Sequence, residues 1–205
     1  MSTDNPFKLV ILSSGFGSNL QAIIDKLHLQ HNIEVRAVVS DTPSESVQRA
    51  LRANIPCLFL PKHKKQSREN YDQRLAELIA PFQPDLIVLS GFMRILSSTF
   101  VHQYEHKVIN IHPSLLPKHK GLNTHQRVID AKDQEHGTTI HYVDESLDGG
   151  KIIAQKRIKV LPFDTATTLE QTIKALEHEL YPDIIRKLAL KARSVVLTKS
   201  SETNV

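Results

Sequence analysis

The chain has 205 residues, 40% of them hydrophobic and 23% charged, the proportions of an ordinary soluble protein long enough to bury a core without disulfides or metal. Its single cysteine, Cys57, excludes an internal disulfide framework, and no apolar run is long enough to span a bilayer. The net charge of +4 is spread among acids with no aromatic-rich basic stripe, which argues against nucleic acid and suits a small anionic substrate.

The opening "MSTDNPFKLV" lacks the basic start and long apolar core of a signal peptide, so the expectation is a soluble cytoplasmic protein. Residues 8–13 read as a strand, followed by a glycine loop and a helix over about 20–29. "IEVRAVVS" at 33–40 is a second strand, 44–53 a helix, and 56–60 a short strand in which Cys57 is expected to be a buried, inert thiol. A helix over about 68–80 follows, with Tyr71, Leu75, Leu78 and Ile79 on one side. "DLIVL" at 85–89 is almost wholly apolar, as in a strand buried on both faces. Strands at 108–111, 137–143 and 152–160 come next, then a helix over about 168–188.

This alternation predicts a single α/β domain spanning 1–205: a Rossmann-like, mostly parallel twisted sheet with helices on both faces. About 1–7 and 199–205 are expected to fray.

Three stretches carry chemistry. "SSGFGSNL" at 13–20 lies between the first strand and first helix, where glycines allow a sharp turn and free N–H groups attract an anion. Gly15, Gly17, Ser18 and Asn19 are therefore candidates to surround a phosphate, with a simple N-capped turn as the alternative. Leu20 occupies the third-glycine position of a dinucleotide fingerprint, and Asp41 in "SDTP" also reads as a turn, so a mononucleotide-sized phosphate fits better than NAD.

"NIHPSLLP" at 110–117 ends a strand with Asn110 and His112 on the same side, and Pro113 restricts His112 to extended backbone. The carboxyl ends of strands are where open α/β sheets hold ligands. "VDESLDGG" at 143–150 follows another strand and offers Asp144, Glu145 and Asp148 as partners for that imidazole; spacing alone does not choose among them. The histidines at 102, 106, 119, 125, 136 and 141 show no HxxxH pairing and no cysteine ligand, so no metal is expected.

At these residues the chain resembles the phosphoribosylglycinamide formyltransferases, also called glycinamide ribonucleotide transformylases, from about residue 8 to 186. The markers are "GFGSNLQAIID", "SRENYD", "LSGFMRIL", "NIHPSLLP", "EHGTTIHYVDESLDGG" and "EHELYP", in the family's order. "HPSLLP" with "LDGG" marks the wider folate-dependent formyltransferase group; the glycine loop and "EHELYP" narrow it.

The resemblance implies transfer of a formyl group from 10-formyltetrahydrofolate to the amine of 5-phosphoribosylglycinamide in purine synthesis. It implies Asn110, His112 and Asp148 as the catalytic trio, and Gly17, Ser18, Asn19 and Glu177 as contacts to the phosphoribosyl substrate. It assigns Arg68, Met93, Arg94, Ile95, Leu96, Asn110 and Asp144 to the folate, whose pterin end the 144–148 loop would close around. The implied partners are the two small molecules, with no nucleic acid or membrane, in a monomer or homodimer. Phe16 stands where the family has a small polar residue, and Lys120 and Asn123 where it often has proline and histidine. Lys174 stands where glutamine is common, so only Glu177 is carried over from that helix.

Methionyl-tRNA formyltransferase carries a second, tRNA-binding domain, and formyltetrahydrofolate hydrolase an extra regulatory one; in 205 residues neither is expected. A non-catalytic phosphate-binding module would explain the glycine loop and leave Asn110, His112 and "LDGG" without purpose.

Overall fold

The computed structural model describes residues 5–202, with side chains through 194. Seven strands form one sheet: β1 (Phe7–Ser13), β2 (Ile33–Ser40), β3 (Cys57–Phe59), β4 (Leu86–Leu89), β5 (Val108–His112), β6 (Glu135–Tyr142) and β7 (Ile152–Lys159). Their order is β3-β2-β1-β4-β5-β6-β7. β1 to β5 run parallel; β6 and β7 are added antiparallel. The helices are α1 (Ser18–Leu27), α2 (Glu45–Arg52), α3 (Arg68–Ile79), α4 (Ser98–Gln103), α5 (Thr124–Asp130) and α6 (Ala166–Glu202).

Strand periodicity sorts the core into two layers. Leu9 and Ile11 of β1 face a cluster with Leu20, Ile23 and Leu27 of α1 and Tyr181, Ile184 and Ile185 of α6. Val10 and Leu12 point the other way, onto Tyr71, Leu75 and Ile79 of α3 and Phe100 of α4. Helices on both faces explain why β4, "LIVL", is apolar throughout: all four residues are buried.

One polar anchor crosses this core. The Tyr181 hydroxyl, fully buried, shares its hydrogen between the carbonyls of Leu89 (2.9 Å), the last residue of β4, and Ile109 (3.1 Å) in the neighbouring β5. Tyr181→Phe leaves both carbonyls without this partner and is expected to cost about 1–3 kcal/mol in chemical denaturation, with the denaturant slope unchanged.

The chain runs outward from β1 in both directions, to β2 on one side and β4 on the other, so the loops after β1 and β4 diverge at a topological switch point. They are stitched there: Ser13 Oγ donates to the Ser90 carbonyl, Ser14 N–H to Gly91 and Met93 N–H to Ser14 Oγ.

The predicted fold class holds, and the differences are local. α4 and α5 are absent from the prediction because six and seven residues give too little periodicity to read. β5 extends through His112, because His112 is still paired with Thr139 of β6. Expected fraying at both ends falls partly outside the described residues. Within them, Phe7 pairs with Ile33 and residues 199–202 continue α6. Cys57 is half-buried rather than buried; desolvation still raises its pKa, which favours the unreactive thiol.

Candidate active site

The trio expected from separate stretches comes together at the carboxyl end of β5. The register pairs Asn110 with His141 and His112 with Thr139, so β5 and β6 present polar side chains to one face. His112 is 6% exposed. Its Nε2 lies 2.9 Å from the backbone carbonyl of His119, which can only accept, so Nε2 carries the hydrogen. Nδ1 is therefore left without a hydrogen in the neutral ring. It faces Asp148 Oδ2 at 3.4 Å.

Asp148 reaches this position through an unusual backbone. Its φ of 45° is left-handed, and Gly150 follows with its α-carbon packed on the Tyr142 carbonyl, where a Cβ would collide. The "DGG" sequence is thus what lets the chain turn under the end of β6. Oδ2 of Asp148 also accepts from the Gly121 N–H at 2.9 Å.

His141 completes the cluster; in the sequence it is one of several histidines without metal-ligand spacing. Its Nδ1 is 2.8 Å from the Tyr142 carbonyl, so Nε2 is left to accept from Asn110 Nδ2 at 3.3 Å. Burial lowers the His141 pKa, against the opposing influence of the Tyr142 carbonyl and Asp148, and holds the ring neutral near pH 7. The signal for it was strand alternation ahead of the acidic loop, readable only once the register with β5 is known.

The glycine loop forms the second half. Gly17 sits at the N-terminus of α1 with φ 73°, and a Cβ there would lie 2.8 Å from Ser46 Cβ, so both backbone and space require glycine. No side chain caps this helix, which leaves its first-turn N–H groups as anion donors around Ser18 and Asn19. Phe16, exposed, lies under the Arg49 guanidinium at 4.6 Å, and its carbonyl accepts from Arg49 Nε at 2.9 Å.

Asn19 Nδ2 donates to Glu177 Oε2 at 2.8 Å, linking α1 to α6. Thr138 of β6 donates to the other Glu177 oxygen (3.2 Å) and approaches the His112 carbonyl (3.0 Å). Glu177 is 6% exposed, and desolvation raises its pKa, partly offset by the Asn19 and Thr138 hydrogen bonds and by Lys174. A raised folded-state carboxyl pKa contributes stability that is complete below the unfolded value and is lost as pH rises through the folded value. Glu177→Gln is therefore expected to be more stable than the parent at neutral pH, the gap closing toward the ordinary carboxyl range. Denaturant midpoints at neutral and acidic pH check this.

The residues assigned to the folate divide. Met93 is 72% exposed beside the switch-point crevice, and Ile95 is also exposed, so both present apolar surface to a ligand. Leu96 does not: it is 4% exposed and packs in the core with Phe92 and Phe100, leaving only its main chain. Arg94 is engaged within the protein, its guanidinium over Tyr71 and its Nε 2.6 Å from Asp41 Oδ2, though not aligned as a hydrogen bond. This also gives Asp41 a partner other than a ribose. Arg68 opens α3, at the N-terminal end of that helix. Asp144 Oδ1 accepts from the Ser146 N–H (2.9 Å) and hydroxyl, fixing the start of the acidic loop.

The departures have local accounts. Asn123 adopts φ 57° at the start of α5, a conformation asparagine tolerates well. The Lys120 carbonyl accepts from Arg127. Lys174 pairs with Glu170 one turn away at 2.6 Å.

A family profile described as formyl transferase matches residues 7–185. The chain belongs to the formyl transferase family. It is 43% identical over 179 residues to the phosphoribosylglycinamide formyltransferase of Escherichia coli K12, covering 86% of this chain and 84% of that one. The Drosophila melanogaster trifunctional purine biosynthetic protein adenosine-3 is 40% identical over 93% of this chain, which spans 14% of that longer protein. Among solved structures, the Coxiella burnetii phosphoribosylglycinamide formyltransferase superposes with a TM-score of 0.87 at 44% identity, over 91% of this chain and 88% of that one. Among the described residues of this formyl transferase, no helix is long and apolar enough to cross a membrane.

Proposed function

We infer that this formyl transferase moves a formyl group from 10-formyltetrahydrofolate to the glycinamide amine of 5-phosphoribosylglycinamide, in purine synthesis. The observation that carries the reading is the convergence of Asn110, His112 and Asp148. They lie in the same molecule as an uncapped helix N-terminus linked through Glu177 to β6.

The residues suit the two substrates differently. The first turn of α1 offers backbone donors to a phosphate, while Glu177 is an acceptor for hydroxyl or amine groups of the same molecule. Asn19 Oδ1, buried without a hydrogen-bond partner among the described residues, is a further acceptor. Exposed Met93 and Ile95 supply apolar surface for the folate rings, and the 144–148 loop adds Leu147, which packs near Gly121.

Transfer is direct. The amine lone pair forms the new C–N bond as the carbonyl electrons move onto oxygen, giving a tetrahedral centre with O⁻ and N⁺. His112, protonated on Nδ1, and the free amide hydrogen of Asn110 donate to that oxygen. Asp148, 3.4 Å from Nδ1 and hydrogen-bonded instead by the Gly121 N–H, balances the imidazolium charge without taking the hydrogen that the oxyanion needs, and the neutral His141 orients the Asn110 amide. The attacking nitrogen loses its proton, and the folate nitrogen gains one as its bond to carbon breaks. The carbonyl re-forms on the product. No covalent acyl-enzyme is required.

Incubating the purified chain with both substrates is expected to release tetrahydrofolate in step with formylated product. Release without the amine acceptor would instead identify a hydrolase. Tight binding of phosphoribosylglycinamide with no transfer would leave a binding module.

A further inference from the structure

We propose that His119 and Asp133 are a positioning pair, outside the substrate site, that sets the tautomer and orientation of His112 through the main chain. The inference rests on the reading of His112 as the proton-carrying group. The short loop Lys118–Gly121 grips the trio at two points. The His119 carbonyl accepts from His112 Nε2 at 2.9 Å, and the Gly121 N–H donates to Asp148 at 2.9 Å. Neither contact uses a side chain of the loop, so the loop's own conformation decides both.

That conformation is not one the backbone chooses freely. His119 has φ 54° and Gly121 φ 79°, both left-handed; for His119, with a full side chain, it persists only where the surroundings over-determine it. The tether is visible. His119 Nε2 lies 2.7 Å from Asp133 Oδ2, with both side chains largely buried, at 13% and 17% exposure. Lys118 Nζ reaches the other Asp133 oxygen at 3.1 Å from an exposed position. Asp133 stands in the turn between α5 and β6, and β6 is itself registered against β5. The pair therefore closes a ring: β5 carries His112, the loop holds its Nε2, His119 ties the loop to Asp133, and β6 returns to β5.

Orienting partners one shell removed from a reacting imidazole act by fixing which nitrogen carries the proton. Loosening the His119 carbonyl frees the His112 hydrogen to move from Nε2 to Nδ1. The ring is then free to turn, and Nδ1, the nitrogen that donates to the developing oxyanion, is no longer held in one place.

The test uses the full chain without ligand and nitrogen-15 histidine spectra, assigned by the signals missing in His112→Ala. The parent is expected to show His112 as a single Nε2–H tautomer. His119→Phe and the near-isosteric Asp133→Asn are expected to give mixed tautomers. Each should lower kcat on the order of tenfold with KM within about twofold, and the double variant should lose no more than either single. His119→Gln, which keeps a donor of similar reach, should restore most of the turnover and the single tautomer. A single Nε2–H tautomer in both variants, with kcat within about twofold of the parent, overturns the pair. The spectra need no turnover, so a chain that fails to transfer formyl groups still reports on the pair.

Discussion

Replacing His112 or Asn110 by alanine is expected to lower kcat by roughly 10²–10³-fold while KM for both substrates stays within a few-fold, the cost of removing one donor to a developing oxyanion. The geometry makes the two losses distinct in origin. His112 contributes a charge: Nε2 is committed to the His119 carbonyl, so only Nδ1 can deliver a proton, and alanine removes it altogether. Asn110 contributes a fixed dipole. Its amide is held by a neutral His141 whose other nitrogen is tied to the Tyr142 carbonyl, so little reorganisation is needed when charge appears on the substrate. Because the two donors serve one oxygen, the double variant should lose less than the product of the single losses. Steady-state kinetics on variants with parental circular dichroism and melting temperature measure this. A folded variant of either residue with near-parental kcat removes it from the mechanism.

The second large effect is at Asp148. Asp148→Asn keeps the shape and an acceptor for the Gly121 N–H, but it can turn an amide donor toward His112 Nδ1. A ring already donating from Nε2 would then accept at Nδ1, and the nitrogen that must take up a proton would face a donor instead of a carboxylate. Where the carboxylate orienting a catalytic imidazole becomes an amide, turnover has fallen by as much as ~10⁴-fold. About 10²-fold or more is expected here, across the neutral range rather than at one end of it. Unchanged pH dependence together with unchanged kcat would leave Asp148 as a purely structural contact of the loop.

The two effects differ in how they depend on the fold. Asn110 and His112 come from one strand, and their common face follows from β geometry alone. Asp148 arrives from 36 residues later only because β6 runs antiparallel to β5 and the "DGG" turn folds back under its end.

Local sequence determined a good deal of this protein. β-branched runs alternating with helical patterns were enough for a parallel α/β sheet covered on both faces. Gly17 between strand and helix marked a turn with free helix N–H groups, and Asn110 and His112 marked a polar strand end, since each signal lies within a few residues of chain. What tertiary structure alone decided was every pairing between distant segments. Three acids stood in the 144–148 loop, and the turn, not the spacing, brings Asp148 to the imidazole. His141 matters because cross-strand register sets it against Asn110. The Arg94 and Leu96 side chains, assigned by motif to the folate, pack against Asp41, Tyr71 and the core, a placement the motif alone does not show. Short-range geometry is written in backbone preferences of adjacent residues. Which distant side chains meet depends on strand order and register, set by how the whole core packs.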